Sequence, residues 1–201
     1  MENSLFTNGF QKIELEDTVL LYFPHFLTKN QADYWFENLK DTISFQSGEI
    51  TLFGKTYMKP RMEAFFADGD LSYSYSGKLL KTEPIGEGLM ELKKRVEMVS
   101  QLDFNAVLVN LYRNGQDSNG WHADNEKELG NDPLIASLSL GAERIFEMQH
   151  NKSKKKIKLK LEHGSLLCML SGSQRFWKHQ LPKDKSVDSS RINLTFRKIY
   201  T

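Results

Sequence analysis

The segment Arg191-Ile192-Asn193-Leu194-Thr195-Phe196-Arg197 alternates polar and apolar side chains along its whole length. Alternate side chains of a β-strand point to opposite faces, so the segment predicts a strand with an apolar face and a face carrying two arginines, Asn193 and Thr195. An arginine meets a carboxylate through two parallel hydrogen bonds, and arginines six residues apart can reach opposite ends of a dicarboxylate. The polar face therefore suits a small dianion, although the isolated pattern is also typical of a solvated strand face.

Length and composition indicate a soluble globular protein with one structural domain over residues 1–201. Hydrophobic residues make up 39% and charged residues 26% of the chain, and the net charge of +1 gives no overall attraction to nucleic acid or membrane. The single cysteine, Cys168, excludes an internal disulfide. No apolar stretch reaches ~18 residues and no signal peptide is recognisable. We expect a cytoplasmic monomer, nuclear if the source is a eukaryote, with no membrane partner.

Helices and hairpins are predicted in the first half of the chain. Thr28 and Gln31 form a capping-box pattern before a helix over residues 29–41, and a second amphipathic helix is predicted over residues 85–100. Between these helices, the pattern predicts a hairpin over residues 45–59 and a separate short strand over residues 60–66.

Short strands separated by Gly-rich turns dominate the second half. We predict strands over residues 104–112, 135–140, 144–150, 157–161, 165–170 and 191–199, and a loop over residues 113–120. This organisation favours an α+β, mainly β, fold: a double-stranded β-helix, or jelly roll, with the N-terminal helices packed on one sheet.

A candidate metal site accompanies the predicted strands. His122 and Asp124 are two residues apart, so on an extended segment both side chains point the same way. His179 is a candidate third ligand, twelve residues before Arg191. Two histidines and one carboxylate form the facial triad of non-haem Fe(II) oxygenases. The pair His122 and Asp124 alone is a weak signal for such a site. A far more specific signal is this pair followed by a distant histidine and then an arginine.

Further motifs strengthen this interpretation. They are Asn110–Gly115, His122–Glu126, Pro133–Gly141, His163–Leu167, His179–Pro182 and Arg191–Arg197, with fainter matches at Pro60-Arg61 and Tyr73–Gly77. Through these motifs, from about residue 50 onward, the chain resembles the AlkB-type 2-oxoglutarate/Fe(II)-dependent dioxygenases, and most closely the members that repair alkylated bases in double-stranded DNA.

The resemblance implies a role for each matching residue. The iron ligands would be His122, Asp124 and His179. The co-substrate 2-oxoglutarate would be held by Asn110, Tyr112, Arg191, Asn193, Thr195 and Arg197. Using O2, such an enzyme hydroxylates the alkyl group of a base of the 1-methyladenine or 3-methylcytosine type, and the products are aldehyde, succinate, CO2 and the repaired base.

The resemblance also implies a substrate side. The base pocket would consist of Tyr73, Tyr75, Ser76, Glu126 and His122. Phe53 would enter the stack vacated by the flipped base, although an ordinary hairpin hydrophobe fits the same pattern. Phosphate contacts would come from Lys152, Lys154, Lys155 and Lys156, although such a run can also be a solvated turn. Tyr75 and Asn125 depart from the residues usual in the close members, which leaves the preferred lesion open.

The chain divides into three regions, and three functional classes remain possible. Residues 1–45 would form an N-terminal extension with the first helix, residues 46–100 the nucleotide-recognition hairpins and second helix, and residues 101–201 the catalytic jelly roll. Alkylated DNA is the expected partner. The alternatives are the same chemistry on RNA, on a protein or on a small molecule, and a non-enzymatic nucleic-acid-binding jelly roll. His163 is expected to be structural, and His150 to lie on the surface.

Overall fold

Two facing, mainly antiparallel sheets and two long helices form the architecture of the computed structural model, which describes residues 9–52, 54–69, 74–75, 78–79 and 82–200. The helices are α1 (Lys29–Thr42), α2 (Glu87–Ser100) and the short α3 (Ser173–Phe176). The strands are β1 (Gln11–Leu15), β2 (Thr18–Phe23), β3 (Gln46–Leu52), β4 (Lys55–Ala67), β5 (Ser74–Tyr75), β6 (Lys78–Leu79), β7 (Thr82–Pro84), β8 (Ala106–Tyr112), β9 (Asn119–His122), β10 (Ile135–Gly141), β11 (Arg144–His150), β12 (Lys156–Leu161), β13 (Leu166–Met169), β14 (Trp177–Leu181) and β15 (Arg191–Arg197).

Strand β15 lies in the middle of the larger sheet. The strand order there is β1-β2-β13-β10-β15-β8-β4-β3, with β7 paired to β4, and the smaller sheet has the order β12-β11-β14-β9. All seven residues of β15 are buried, so the alternative of a solvated strand face is wrong. Its apolar side chains pack in the core beneath the helices, while its polar side chains face a cavity between the sheets. The predicted α+β jelly roll is confirmed.

The two long helices cover the outer side of the larger sheet. Helix α1 begins with the predicted capping box, in which Gln31 N donates to Thr28 Oγ1 and Thr28 N donates to Gln31 Oε1. Trp35 of α1 and Leu92 of α2 are buried in one hydrophobic cluster with Leu194 of β15. Among the described helices, none combines the length and apolar character needed to cross a bilayer.

Two local predictions are wrong. The segment over residues 60–66 is not a separate strand, because β4 continues through Pro60. Proline is tolerated there because the pairing with β3 shifts between Met58 and Met62, and the pairing with β8 begins only at Met62. The predicted loop over residues 113–120 ends earlier than expected, since Asn119 already pairs with Leu181 as the first residue of β9. Tertiary pairing, rather than local propensity, forms this short strand.

His150 is buried rather than on the surface. Its side chain is at the end of β11, and the residue is 1% exposed. The ring packs edge-on against Trp177, with Nδ1 2.8 Å from Ser153 Oγ and Nε2 3.2 Å from Asp17 Oδ2. These contacts satisfy both ring nitrogens, so a polar residue can occupy the edge of the inter-sheet core.

Candidate metal centre

The pairing of β9 with β14 brings the three predicted metal ligands together. His122 and His179 are direct partners across these two strands, and their ring centroids are 4.2 Å apart. Asp124 follows β9, and its backbone N–H donates to Gln174 Oε1 at 3.0 Å. One ligand atom from each of the three residues lies within 4.8 Å of the other two. The structure thus places two imidazoles and one carboxylate around a common point.

Both imidazoles are held neutral, which is the form that binds a metal. Desolvation lowers the pKa of His122, and it lowers the pKa of His179 to about 3. His122 Nδ1 lies 2.7 Å from the Gly120 carbonyl oxygen, so Nδ1 carries the proton and Nε2 keeps its lone pair. His179 Nδ1 is buried without a hydrogen-bond partner in the described part of the chain.

Asp124 is held ionised beside these rings. Burial raises the pKa of its carboxyl group, but the charge of Arg197 acts together with His179 and His122 to outweigh burial, and the pKa falls to about 2. Arg197 Nη2 lies 2.9 Å from Asp124 Oδ1, yet that oxygen accepts no hydrogen bond of good geometry. Two neutral imidazoles, a carboxylate and unsatisfied buried atoms fit a hard or borderline divalent cation such as Fe(II).

His163 has a different environment. Its Nδ1 accepts a hydrogen bond from the Gly141 backbone N–H at 2.8 Å, and its Nε2 lies 3.0 Å from Asp33 Oδ1 of α1. Gly141 has φ +82°, and an added Cβ would lie 2.5 Å from the Ser190 carbonyl oxygen, so this turn requires glycine. His163 therefore fastens helix α1 to the turn after β10.

The three predicted metal ligands line a cavity between the two sheets. All six residues predicted to hold 2-oxoglutarate line this cavity, together with the three predicted metal ligands. The register explains the arrangement, because Asn110 pairs with Asn193 and Tyr112 pairs with Arg191 across β8 and β15. The remaining lining residues are Leu108, Asn119, Ser137, Phe146, Leu161, Met169 and Leu181.

Arg191 is a buried cation at one end of this cavity. The residue is 2% exposed, and within the described part of the chain no carboxylate lies within ion-pair distance of its guanidinium. Its Nη2 donates to Ser139 Oγ at 2.9 Å, its Nε has no hydrogen-bond partner, and its Cζ lies 5.4 Å from the Tyr112 ring centroid. Burial lowers the pKa of Arg191 to about 10. A buried guanidinium of this kind is a site for an anion.

The residues between the two ends of the cavity hydrogen-bond to one another and to β10. Asn193 Nδ2 donates to Ser137 Oγ at 2.8 Å and to the Leu138 carbonyl oxygen at 3.0 Å. Thr195 Oγ1 donates to Asn193 Oδ1 at 3.1 Å. Hydrogen bonds within the chain therefore hold the polar face of β15 in place, with Arg191 and Arg197 at its two ends.

The predicted substrate residues are only partly described. Phe53, Tyr73 and Ser76 lie outside the described residues, and of Tyr75 the structure describes only its place in β5. Glu126 precedes a 3-10 turn over Lys127–Leu129 and does not line the cavity. Four exposed lysines lie at the hairpin of β11 and β12: Lys152, Lys154 and Lys155 in the turn, and Lys156 as the first residue of β12.

Several residues of the site were missed by sequence reasoning. Ser137 and Ser139 of β10 bind the polar side chains of β15, and Asn119 lines the cavity beside His122. The alternation of serines in β10 was a signal that could have identified the first two. Arg61 of β4 was noted only as part of a faint motif match, and its role as a donor to Asn110 and Asn119 was missed because these partners are 49 and 58 residues away.

Comparisons with known proteins agree with this geometry. Human alpha-ketoglutarate-dependent dioxygenase alkB homolog 3 is 36% identical over 96% of this chain, which spans 71% of that protein. Bovine DNA oxidative demethylase ALKBH2 is 39% identical over 85% of this chain, which spans 66% of that protein. The solved structure of OsALKBH1 shares the fold, with a TM-score of 0.62 and 20% identity over 94% of this chain and 100% of that one. The model of the 2OG-Fe(II) oxygenase superfamily matches residues 19–197, and the chain belongs to that superfamily.

Proposed function

We propose that this protein is a DNA oxidative demethylase, which removes alkyl groups from bases of the 1-methyladenine or 3-methylcytosine type with Fe(II), 2-oxoglutarate and O2. The observation that carries this proposal is the pairing of the His122–Asp124–His179 cluster with the buried charge of Arg191 in one cavity. A ligand that chelates a metal at one end and carries a carboxylate at the other matches both features.

The residues of the chain have distinct tasks in this reaction. His122, Asp124 and His179 would hold iron, which supplies the oxidation of the alkyl carbon when co-substrate and dioxygen are bound. Arg191 and Tyr112 would receive the carboxylate of 2-oxoglutarate far from the metal, and Arg197 would balance negative charge beside Asp124. Phe146, whose ring centroid lies 5.2 Å from that of His179, helps to exclude water from the reacting end.

A nucleic-acid strand is supported as substrate by the position of the lysine-rich turn. Trp121 immediately precedes the predicted ligand His122, and the ammonium groups of Lys156 and Lys178 lie 5.9 and 5.4 Å from its ring centroid. These contacts bring the end of the turn beside the metal-ligand strand. Lys152, Lys154 and Lys155, exposed on the same turn, would contact phosphates of a strand whose flipped base enters the site.

The proposed reaction can be tested with defined lesions. Oligonucleotides with one 1-methyladenine or 3-methylcytosine, as single-stranded DNA, duplex DNA and RNA, would be incubated with Fe(II), 2-oxoglutarate and ascorbate and analysed by mass spectrometry. We expect loss of one methylene mass from DNA, with equimolar succinate, and no loss with the Asp124→Ala variant. If succinate forms and the RNA is repaired while the DNA stays unchanged, the substrate is RNA rather than DNA.

We further propose that Phe53 fills the stack vacated by the flipped base in duplex DNA. A ring in that gap recovers ~1–3 kcal/mol of stacking, and single-stranded DNA has no such gap. Single-turnover repair of one methylated strand, alone and annealed, should therefore show that Phe53→Ala loses rate mainly on the duplex. Equal losses on both substrates would indicate that the ring only packs within the hairpin.

A further inference from the structure

The guanidinium group of Arg61 holds two asparagine side chains from different strands. Arg61 is on β4 and is 5% exposed. Its Nε donates to Asn110 Oδ1 of β8 at 3.0 Å, and its Nη1 donates to Asn119 Oδ1 of β9 at 3.1 Å. An arginine has only donors, so each asparagine must turn its oxygen toward Arg61 and its NH2 group away from it.

Both asparagines line the cavity that contains the metal ligands and Arg191. Asn110 lies opposite Asn193 on β15. The Nδ2 of Asn119 lies 3.2 Å from Nε2 of His122, whose Nδ1 is engaged by the Gly120 carbonyl. The amide of Asn119 therefore donates to the lone pair that a metal ion would use.

The charge of Arg61 is balanced by neighbours on its own strand. Glu63 Oε2 lies 3.8 Å from Arg61 Nη2, and the other oxygen of Glu63 accepts a hydrogen bond from Lys59. All three side chains are buried. Arg61 thus differs from Arg191, which has no acidic neighbour among the described residues, and its contribution to the cavity is the orientation of the two amides rather than an unbalanced charge.

We propose that Asn119 is a further binding residue for 2-oxoglutarate and that Arg61 is the positioning residue that aims Asn110 and Asn119 at it. The inference rests on the proposed use of 2-oxoglutarate in this cavity. When a metal takes the lone pair of His122 Nε2, the NH2 group of Asn119 loses its acceptor, while Arg61 still holds its oxygen. The anionic oxygens of the keto acid are acceptors for this donor, and such charge-assisted hydrogen bonds are stronger than neutral ones.

The test separates co-substrate binding from metal binding. Mn(II) replaces iron, so that no turnover occurs, and the affinities for Mn(II) and then for 2-oxoglutarate are measured by calorimetry. We expect Asn119→Leu to weaken 2-oxoglutarate binding about tenfold without weakening Mn(II) binding. Arg61→Leu should weaken 2-oxoglutarate binding at least as much. The combined variant Arg61→Leu/Asn119→Leu should bind 2-oxoglutarate no more weakly than Arg61→Leu alone, since the same hydrogen bond is lost in both.

Two controls address charge and packing. Arg61→Lys keeps the charge but cannot bind two amides in a fixed geometry, so it should not restore the affinity for 2-oxoglutarate. The variant Lys59→Met/Glu63→Gln alters the same buried group but keeps Arg61, Asn110 and Asn119, and its affinity for 2-oxoglutarate should equal that of the wild type. Should the Arg61 variants fail to fold, Asn119→Leu decides alone.

The possible failures are distinguishable. If wild-type protein loaded with Mn(II) does not bind 2-oxoglutarate, the proposed function itself is wrong. If the wild type binds and Asn119→Leu binds as tightly, only the present inference is overturned. If the Lys59→Met/Glu63→Gln control loses as much affinity for 2-oxoglutarate as Arg61→Leu, the proposed role of Arg61 is likewise overturned, because packing around β4 would then explain the effect.

Discussion

Replacing Arg191 by methionine should have opposite effects on stability and on ligand binding. The residue is 2% exposed, and burial lowers its pKa from 12.5 to about 10. This difference corresponds to about 3 kcal/mol of destabilisation of the charged side chain, at about 1.4 kcal/mol per pKa unit. The hydrogen bond to Ser139 and the contact with the Tyr112 ring offset about 1–2 kcal/mol of it. Without ligand, Arg191→Met should therefore be as stable as the wild type or more stable by about 1–2 kcal/mol.

The same change should remove the partner of the distant carboxylate of 2-oxoglutarate. Loss of a charged hydrogen bond is about 1.5–3 kcal/mol, so the affinity should fall roughly 10- to 150-fold or more. Urea unfolding of the metal-free protein measures the stability, and titration of the Mn(II)-loaded protein measures the affinity.

Arg144 offers a matched control for this prediction. It is also 2% exposed, but its guanidinium donates to the backbone carbonyl oxygens of Asn114, Asp117 and Pro182. Arg144→Met should destabilise the metal-free protein, because it leaves buried acceptors without donors. If Arg191→Met destabilised the protein as much as Arg144→Met and left the affinity for 2-oxoglutarate unchanged, the assignment of Arg191 as an anion site would be refuted.

Three further predictions concern the metal site and the lysine-rich turn. His179→Ala should abolish iron-dependent succinate production, whereas His163→Ala, which removes a contact between α1 and the β10 turn, should lower the melting temperature but retain Mn(II) binding by calorimetry. Because the pKa of His179 is about 3 when folded and ~6.5 when unfolded, the unfolded state binds more protons below pH 6.5, so metal-free stability should fall with acid by about 2 kcal/mol between pH 6.5 and 5. Urea unfolding of His179→Gln over this range should show a smaller fall, and an equal fall would point to other groups. Repair measured at several salt concentrations should show a weaker salt dependence, by up to about three units of logarithmic slope, when glutamine replaces Lys154, Lys155 and Lys156.

The sequence predicted those features that one strand or one short motif encodes. The alternation in Arg191–Arg197 predicted a strand with a polar and an apolar face, and Thr28 with Gln31 predicted the start of α1. The spacing of His122 and Asp124 predicted two side chains on one side of a strand, and the structure places both beside His179.

The features that escaped prediction depend on contacts between distant segments. Asn119 looked like a loop residue because its strand exists only through pairing with β14. Pro60 looked like a strand boundary because the local sequence does not show the register shift that accommodates it. That shift arises from the pairing of β4 with β3. His150 looked exposed because the groups that satisfy its ring, Asp17 and Ser153, include one 133 residues away.

The central position of β15 has a consequence for how the protein folds. Strands β8 and β10 do not pair with each other, because β15 lies between them and hydrogen-bonds to both. Asn193 and its partner Ser137 are 56 residues apart, so joining the two halves of the sheet requires closure of long loops, which makes folding slow. Until β15 inserts, β8 and β10 present open edges that favour aggregation. Folding of the central sheet and assembly of the proposed 2-oxoglutarate-binding face are therefore one event, and 2-oxoglutarate should accelerate only the folding steps that come after β15 has inserted.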